Sequence, residues 1–127
     1  MNKAVVICHG DMAKGLVSAA TKIYGDTGLF FAVTNTDKGL PDLLNEVKQI
    51  LSDNSIEIPV FFADMRGGSC WRISMQIIKE LKKGIVFSGV NLPMLVNYAA
   101  KINDLNSVEE LKKILIESTC KSVIGET

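Results

Sequence analysis

The sequence holds a single histidine, His9, and it directly follows the apolar run Ala4–Cys8, which has the composition of a buried strand. An aspartate, Asp64, follows a later apolar run in the same way. A carboxylate bonded to one ring nitrogen of an imidazole fixes its tautomer and leaves the other nitrogen free to act as a nucleophile. A phosphoryl group is a suitable electrophile, so the pair predicts a phosphoryl acceptor at His9.

A glycine pair and a serine lead from Asp64 into the next helical pattern, at Gly67, Gly68 and Ser69. Main-chain N–H groups at a helix N-terminus can bind phosphoryl oxygens, and glycines let the backbone approach closely. The Ser69 hydroxyl adds a donor. Gly10, which opens the first helical pattern, can supply a further N–H group.

Each signal has a plainer alternative. A lone histidine is more often structural, Asp64 suits a helix cap, and a Gly-Gly-Ser stretch is usually a turn. The coincidence of these residues at one edge of a predicted sheet is what favours a site.

Strands and helices that must position these residues alternate along the chain. Apolar runs predict strands at 4–8, 29–33, 58–63 and 85–89, and helical spacing predicts helices at 12–24, 40–51, 73–81 and 91–101. The capping box that begins at Ser107 starts a last helix. Residues 123–124 fit either a short final strand or a frayed end.

This order predicts an α/β fold: an open, mainly parallel, doubly wound sheet with helices on both faces, in a single domain over residues 1–127. In such sheets, sites form beyond the carboxyl ends of the strands where the strand order reverses. If the first and third strands are neighbours there, His9 and Asp64 face each other.

Composition excludes several classes of function. The 14 basic residues balance 14 acidic ones, which argues against binding nucleic acid or an anionic membrane. One histidine excludes a two-histidine metal site within the chain. Three scattered cysteines, Cys8, Cys70 and Cys120, exclude a zinc ribbon and argue against a disulfide framework. No apolar run approaches the roughly 20 residues of a membrane helix. A cytoplasmic protein is expected.

Three stretches in order resemble the signatures of mannose-type IIA components of the bacterial sugar phosphotransferase system. The first is His9-Gly10 followed by Ala13, Gly15, Leu16, Ala19, Ala20, Ile23 and Gly25; the second is Asp64-x-x-Gly67-Gly68-Ser69; the third is Gly89-Val90-Asn91-Leu92-Pro93-Met94-Leu95. The resemblance spans residues 4 to about 100.

The resemblance implies that His9 accepts a phosphoryl group from the phosphocarrier protein HPr and passes it to a IIB component, which phosphorylates the sugar at the membrane permease. Asp64 orients His9, and Ser69 lies beside the phosphoryl group. The resemblance also implies a homodimer, with a C-terminal segment exchanged between subunits. Neither a metal nor a nucleotide cofactor is required, and the membrane is met only through the permease complex.

The chain departs from the family pattern around the glycine pair, at Arg66, Cys70, Trp71 and Arg72. The two arginines suit an acidic or phosphorylated partner, or are solvated surface residues. Trp71 is a partner anchor or a half-buried helix residue, with burial favoured. Asn91 is a further candidate partner contact.

Cysteines and methionines near the site have simpler expectations. Cys8 is expected in the core, and Cys70 as an inert small side chain rather than a reactive thiol. A hydrolase that uses Cys8 with His9 is disfavoured because neighbouring strand residues diverge. Met65 is expected to serve packing, as are Met75 and Met94.

Two alternatives to the sugar relay stay open. The domain can feed a dihydroxyacetone kinase, although the intact signature at 89–95 favours the sugar branch. It can also be a regulatory module that has kept the fold without relaying phosphate, which Arg66 and Arg72 suggest.

Overall fold

The chain folds around a four-stranded sheet, seen in a computed structural model that describes residues 2–127. The strands are β1 Ala4–Cys8, β2 Phe30–Thr34, β3 Val60–Ala63 and β4 Ile85–Ser88, and the helices are α1 Met12–Tyr24, α2 Leu40–Asp53, α3 Ser69–Leu81, α4 Leu92–Lys101 and α5 Val108–Cys120, with a 3-10 turn at Ile102–Asp104. Among the helices of residues 2–127, none is both long enough and apolar enough to cross a bilayer.

All strand pairs are parallel, and their order is β2–β1–β3–β4. The chain therefore runs outward from β1 to β2 and then crosses back over β1 to β3. Cys8 pairs with Thr34 on one side of β1, and Ile7 pairs with Ala63 on the other. The predicted open α/β sheet is confirmed, and the strand order reverses at β1 as expected.

Successive side chains of each strand point to opposite faces of the sheet, and helices cover both faces. Ala4, Val6 and Cys8 of β1 pack in the layer that holds α1, α4 and α5, whereas Val5 and Ile7 pack against α2 and α3. All five residues of β1 are buried. A central strand buried on both faces gives the residues that follow it a rigid base.

Three strands differ from the prediction at their ends. The second strand begins at Phe30 and continues to Thr34, the third begins at Val60 rather than at residue 58, and the fourth ends at Ser88 rather than at residue 89. Pro59 has no N–H to donate to a ladder, and its carbonyl instead accepts a hydrogen bond of 3.0 Å from the N–H of Ile85.

Cap residues fix the two last helices, and the chain end beyond them is irregular. Asn91 Oδ1 accepts from the N–H of Met94 at 3.0 Å, and Ser107 Oγ accepts from the N–H of Glu110 at 3.1 Å. Residues 123–124 form neither helix nor strand, and both are exposed.

Candidate active site

His9 and Asp64 meet at the carboxyl edge of the sheet, where β1 and β3 end side by side. Asp64 Oδ2 lies 2.6 Å from His9 Nδ1 and accepts a second hydrogen bond, of 2.8 Å, from the main-chain N–H of His9. The other oxygen, Oδ1, accepts from the N–H of Met65 at 3.0 Å. The carboxylate is held in place by three donors and in turn holds the imidazole.

The charge state of Asp64 decides which ring nitrogen of His9 is free. Burial alone raises the pKa of Asp64, but the hydrogen bonds and charge of His9 and the N–H of Met65 outweigh it and bring the pKa below its ordinary value. An ionised carboxylate only accepts hydrogen bonds, so Nδ1 carries the hydrogen in this pair. In the neutral imidazole, Nε2 then has the lone pair, and the side chain is 49% exposed.

The glycine pair lies against the imidazole. A Cβ atom at Gly68 would lie 3.3 Å from His9 Cε1, so only a residue without a side chain fits there without moving the ring. Gly67 has a φ of +86°, in the left-handed region that glycine adopts without strain. The turn can therefore bring the start of α3 to the edge of the ring.

Helix α3 begins at Ser69 with Gly68 as its N-cap, and no side chain caps it. The first N–H groups of a helix have no partner within the helix, and they carry the positive end of its dipole. Because Gly68 lies close to the His9 ring, α3 begins beside that ring and its first N–H groups suit an anion held there.

The end of β2 and the turn after it also reach the site, which was not predicted from the sequence. Asn35 Nδ2 donates a hydrogen bond of 3.2 Å to Ser69 Oγ, and Thr34 Oγ1 donates one of 2.7 Å to the carbonyl of Gly10. Both residues are polar, and they lie at the end of a strand and directly after it, which resembles the signal that selected His9 and Asp64. Their importance depends on β2 lying beside β1, which the chain order alone does not reveal.

The flanking residues that were predicted to meet partners lie in different settings. The guanidinium of Arg66 lies 5.7 Å from the centre of the Trp71 ring, and Trp71 is partly buried against the α2–α3 core. Arg72 is exposed. Asn91 caps α4, as described above. The expectation that Met65 serves packing is wrong, because that side chain is 65% exposed: it lies in the irregular turn between β3 and α3.

Two thiols lie below the site. Burial, followed by the Asp64 charge, raises the pKa of Cys70 to about 11, and the same two causes, with a smaller contribution from Cys70, raise that of Cys8 to about 12. Both are fully buried in the core, as expected. They stay protonated at neutral pH, and this form is not nucleophilic.

Three side chains of types that can bind a metal ion also meet at this place. Ligand atoms of His9, Asp64 and Cys70 lie within 4.8 Å of one another. Cys70 is buried in the core, however, and the Asp64 carboxylate already accepts hydrogen bonds from three N–H donors. The arrangement is that of an imidazole–carboxylate pair above a buried thiol, which suits nucleophilic chemistry at His9.

Comparisons with known proteins agree with this fold. Residues 3–116 match the family described as the PTS system fructose IIA component. The PTS system sorbose-specific EIIA component of Lacticaseibacillus casei is 25% identical over 114 residues, which are 89% of this chain and 82% of that protein.

Solved structures share the fold. The phosphotransferase system component EIIA from Streptococcus agalactiae superposes with a TM-score of 0.90 at 22% identity, over 98% of this chain and 97% of the other. The mannose/sorbose-specific IIA subunit from Enterococcus faecalis gives 0.82 at 21% identity, over 100% and 96%.

The match over residues 3–116 establishes that this chain belongs to the fructose- and mannose-type IIA family of the sugar phosphotransferase system. Its general role is therefore that of a phosphotransfer protein in sugar uptake.

Proposed function

We propose that this protein is a phosphohistidine carrier in which His9 Nε2 accepts a phosphoryl group from HPr and passes it to a IIB component. The observation that carries the proposal is the pair of hydrogen bonds from His9 to a single oxygen of Asp64. They support a hydrogen on Nδ1 and a lone pair on Nε2, on a side chain that is 49% exposed.

In the accepting step, the Nε2 lone pair forms a bond to phosphorus as the bond from phosphorus to the donor nitrogen of HPr breaks. The imidazole gains positive charge as the new bond forms, and the ionised Asp64 stabilises that charge through Nδ1–H. N–H groups at the start of α3 and the Ser69 hydroxyl meet the negative phosphoryl oxygens. The leaving nitrogen regains its lone pair, so no external proton is needed for the transfer.

Transfer to the IIB component is the same step in the other direction. Because donor and recipient must each bring a side chain in line with Nε2, the acceptor has to be reachable by a folded protein. The exposure of His9 at the sheet edge meets this requirement. Because the whole chain has zero formal net charge, electrostatic attraction to either partner has to come from charged residues near the site.

The direct test is phosphorylation with labelled phosphoenolpyruvate, the first enzyme of the system and HPr. The wild-type protein is expected to take up label that is lost in acid and kept in base, and His9→Gln is expected to take up none. Asp11→Asn is the control, because it removes an exposed acidic side chain two positions away that makes no cap bond. Label that persists in His9→Gln, or none in the wild type, contradicts the proposal.

A chase experiment separates the three candidate functions. Labelled protein mixed with its IIB component is expected to lose its label to that component. Transfer to a dihydroxyacetone kinase instead assigns the domain to that branch. Retention of the label with both recipients points to a regulatory module.

We also propose a homodimer with an exchanged C-terminal segment, and the exposed edge of the sheet supports this. Strand β4 is the last in the sheet order, so one side of its backbone is unpaired within residues 2–127. Beside it lies a groove of about 400 Å³, lined by β4 together with apolar side chains of α3 and α5: Met75, Ile78, Val108 and Ile116. The exposed apolar residues Val123 and Ile124 are suited to cover such a surface.

Sedimentation of the full chain and of a chain that ends at residue 120 tests the dimer. The full chain is expected to sediment as a dimer and the shortened chain as a monomer or a weakened dimer. A monomeric full chain, or a dimer unaffected by the truncation, contradicts the exchange.

We place this relay in the cytoplasm. All three cysteines are free, as expected for a reducing compartment.

A further inference from the structure

We infer that Asn35 is a positioning residue for phosphoryl transfer: it holds the Ser69 hydroxyl so that its hydrogen points to the phosphoryl group on His9. The inference rests on the proposed function and adds a residue from the turn after β2 to a site otherwise built from residues that follow β1 and β3 and from the start of α3. Its basis is the hydrogen bond of 3.2 Å from Asn35 Nδ2 to Ser69 Oγ.

Two main-chain hydrogen bonds hold the backbone of Asn35 in place, independently of its side chain. Its N–H donates to the carbonyl of Cys8 at 3.3 Å, which extends the β1–β2 pairing to the residue before His9. Its own carbonyl accepts from the N–H of Lys38 at 3.2 Å and closes the turn that follows β2. Asn35 is therefore held beside β1, and both atoms of the Asn35–Ser69 bond are partly buried.

The donor and acceptor groups of the two side chains fix the direction of the hydrogen bond between Asn35 and Ser69. An amide nitrogen only donates, so Ser69 Oγ is the acceptor in this bond. A hydroxyl has a single hydrogen, and the bond from Asn35 does not use it. Without a phosphoryl group, the Ser69 hydroxyl also interacts with the Cys70 thiol, a weak acceptor that an oxygen of a phosphoryl group beside the start of α3 can replace.

The same helix shows what a serine hydroxyl does without such a partner. Ser74 Oγ donates to the carbonyl of Cys70 at 2.9 Å, the usual bond of a helical serine to its own backbone. Ser69 is the first residue of α3, so no helical turn precedes it to accept such a bond, and the orientation of its hydroxyl depends on Asn35. Asn35 thus acts on Ser69 as Asp64 acts on His9: one fixes the nucleophile and the other fixes a donor to the group it receives.

The test is a double-mutant cycle on the rate at which phosphorylated HPr passes its label to the protein. Asn35→Ala is expected to lower kcat by about 3- to 10-fold, the effect of one hydrogen bond, with the KM for phosphorylated HPr unchanged. In the Ser69→Ala background the same substitution is expected to have no further effect, because Asn35 then has no hydroxyl to orient.

A second variant checks the direction of the bond. Asn35→Asp has nearly the same shape, but its oxygens accept the Ser69 hydrogen and add negative charge near the phosphoryl group. It is expected to be slower than Asn35→Ala. A rate equal to the wild type in either Asn35 variant, or an equal loss from Asn35→Ala in both Ser69 backgrounds, overturns the inference.

A control in the same loop separates positioning from general loop anchoring. Lys38→Gln removes the ion pair between Lys38 and Glu46, whose atoms lie 2.8 Å apart. It is expected to keep the wild-type rate, and a loss equal to that of Asn35→Ala overturns the inference. The wild-type protein reports on the proposed function independently: if it takes no label at His9, the carrier function fails, whereas a labelled wild type with a neutral Asn35→Ala rejects the role of Asn35 alone.

Discussion

Asp64 Oδ2 accepts hydrogen bonds from both the main chain and the ring of His9, although 55 positions separate the two residues in the sequence. One oxygen thereby fixes the ring relative to its own backbone. Parallel pairing of β1 with β3 makes this possible, since it ends both strands at the same level. The geometry of the His9–Asp64 pair therefore depends directly on the pairing of β1 with β3.

Replacement of Asp64 by asparagine should slow phosphoryl acceptance by about 100-fold, the lower end of what a positioned ionised group contributes. Asparagine can keep a hydrogen bond to the backbone of His9, but it carries no charge to stabilise the ring as Nε2 becomes bonded. The rate of label uptake from phosphorylated HPr measures the effect. A variant that keeps the wild-type rate removes Asp64 from the mechanism.

The same carboxylate predicts how stability depends on pH. Because the pKa of Asp64 is lower in the folded chain than its ordinary value of 3.8, its contribution is fully present above that value. The contribution is lost as the pH falls through the lower, folded pKa. Urea unfolding of the wild type and Asp64→Asn from pH 7 to pH 2.5 should therefore show a constant difference that shrinks only below about pH 4. A difference that grows on acidification contradicts this sign.

Substitution of the two adjacent glycines by alanine should separate stability from activity. Gly67→Ala places a side chain at a φ of +86° and should cost about 1–3 kcal/mol of unfolding free energy. Gly68 has an ordinary φ of −76°, so Gly68→Ala should change that free energy by less than about 1 kcal/mol.

The new methyl group of Gly68→Ala lies 3.3 Å from His9 Cε1, and the ring has to give way. Label uptake should fall by about 10-fold, as expected for a small displacement of a reacting group. Denaturant unfolding and label uptake, measured on both variants, provide the comparison. Wild-type uptake by Gly68→Ala contradicts the close packing of the ring.

Thiol titration of the native protein should detect a single fast-reacting cysteine. Cys120 is exposed, whereas Cys8 and Cys70 are buried and have raised pKa values, so reaction with an aromatic disulfide reagent should consume one equivalent quickly and three after unfolding. Cys120→Ser should abolish the fast phase without changing label uptake. A second fast thiol in the native protein contradicts the burial of the pair near the site.

A change far from the site should affect stability alone. The hydroxyl of Tyr98, buried in α4, donates to the carbonyl of Asn2 at 2.7 Å, and burial raises the pKa of this phenol. Tyr98→Phe should lower the unfolding free energy by about 1 kcal/mol and leave label uptake unchanged. Altered uptake at a temperature where the variant is fully folded contradicts this separation.

Much of this arrangement is predictable because it depends on local patterns. Apolar runs identify the strands, and polar residues directly after them identify His9 and Asp64. The boundaries at Phe30 and Val60 depend on which N–H groups find partners in the neighbouring strand, and hydropathy does not contain that information.

Two residues show why prediction stops where it does. Asn35 lies in a stretch that has the composition of an ordinary polar turn, and its bond to Ser69 exists because β2 lies next to β1 in space. Met65 is apolar but points into solvent, since a side chain in an irregular turn has no periodicity to indicate its direction. Both outcomes depend on tertiary context.

The wide sequence separation of His9 and Asp64 also makes the site a reporter of folding. Nothing in the first 60 residues can orient the imidazole through a carboxylate at position 64, so competence to accept a phosphoryl group arises only when β3 has docked beside β1. Non-local parallel pairing of this kind forms late and slowly. During refolding, uptake of label should therefore lag behind the recovery of helical signal, and its time course would record the closing of the central strand pair.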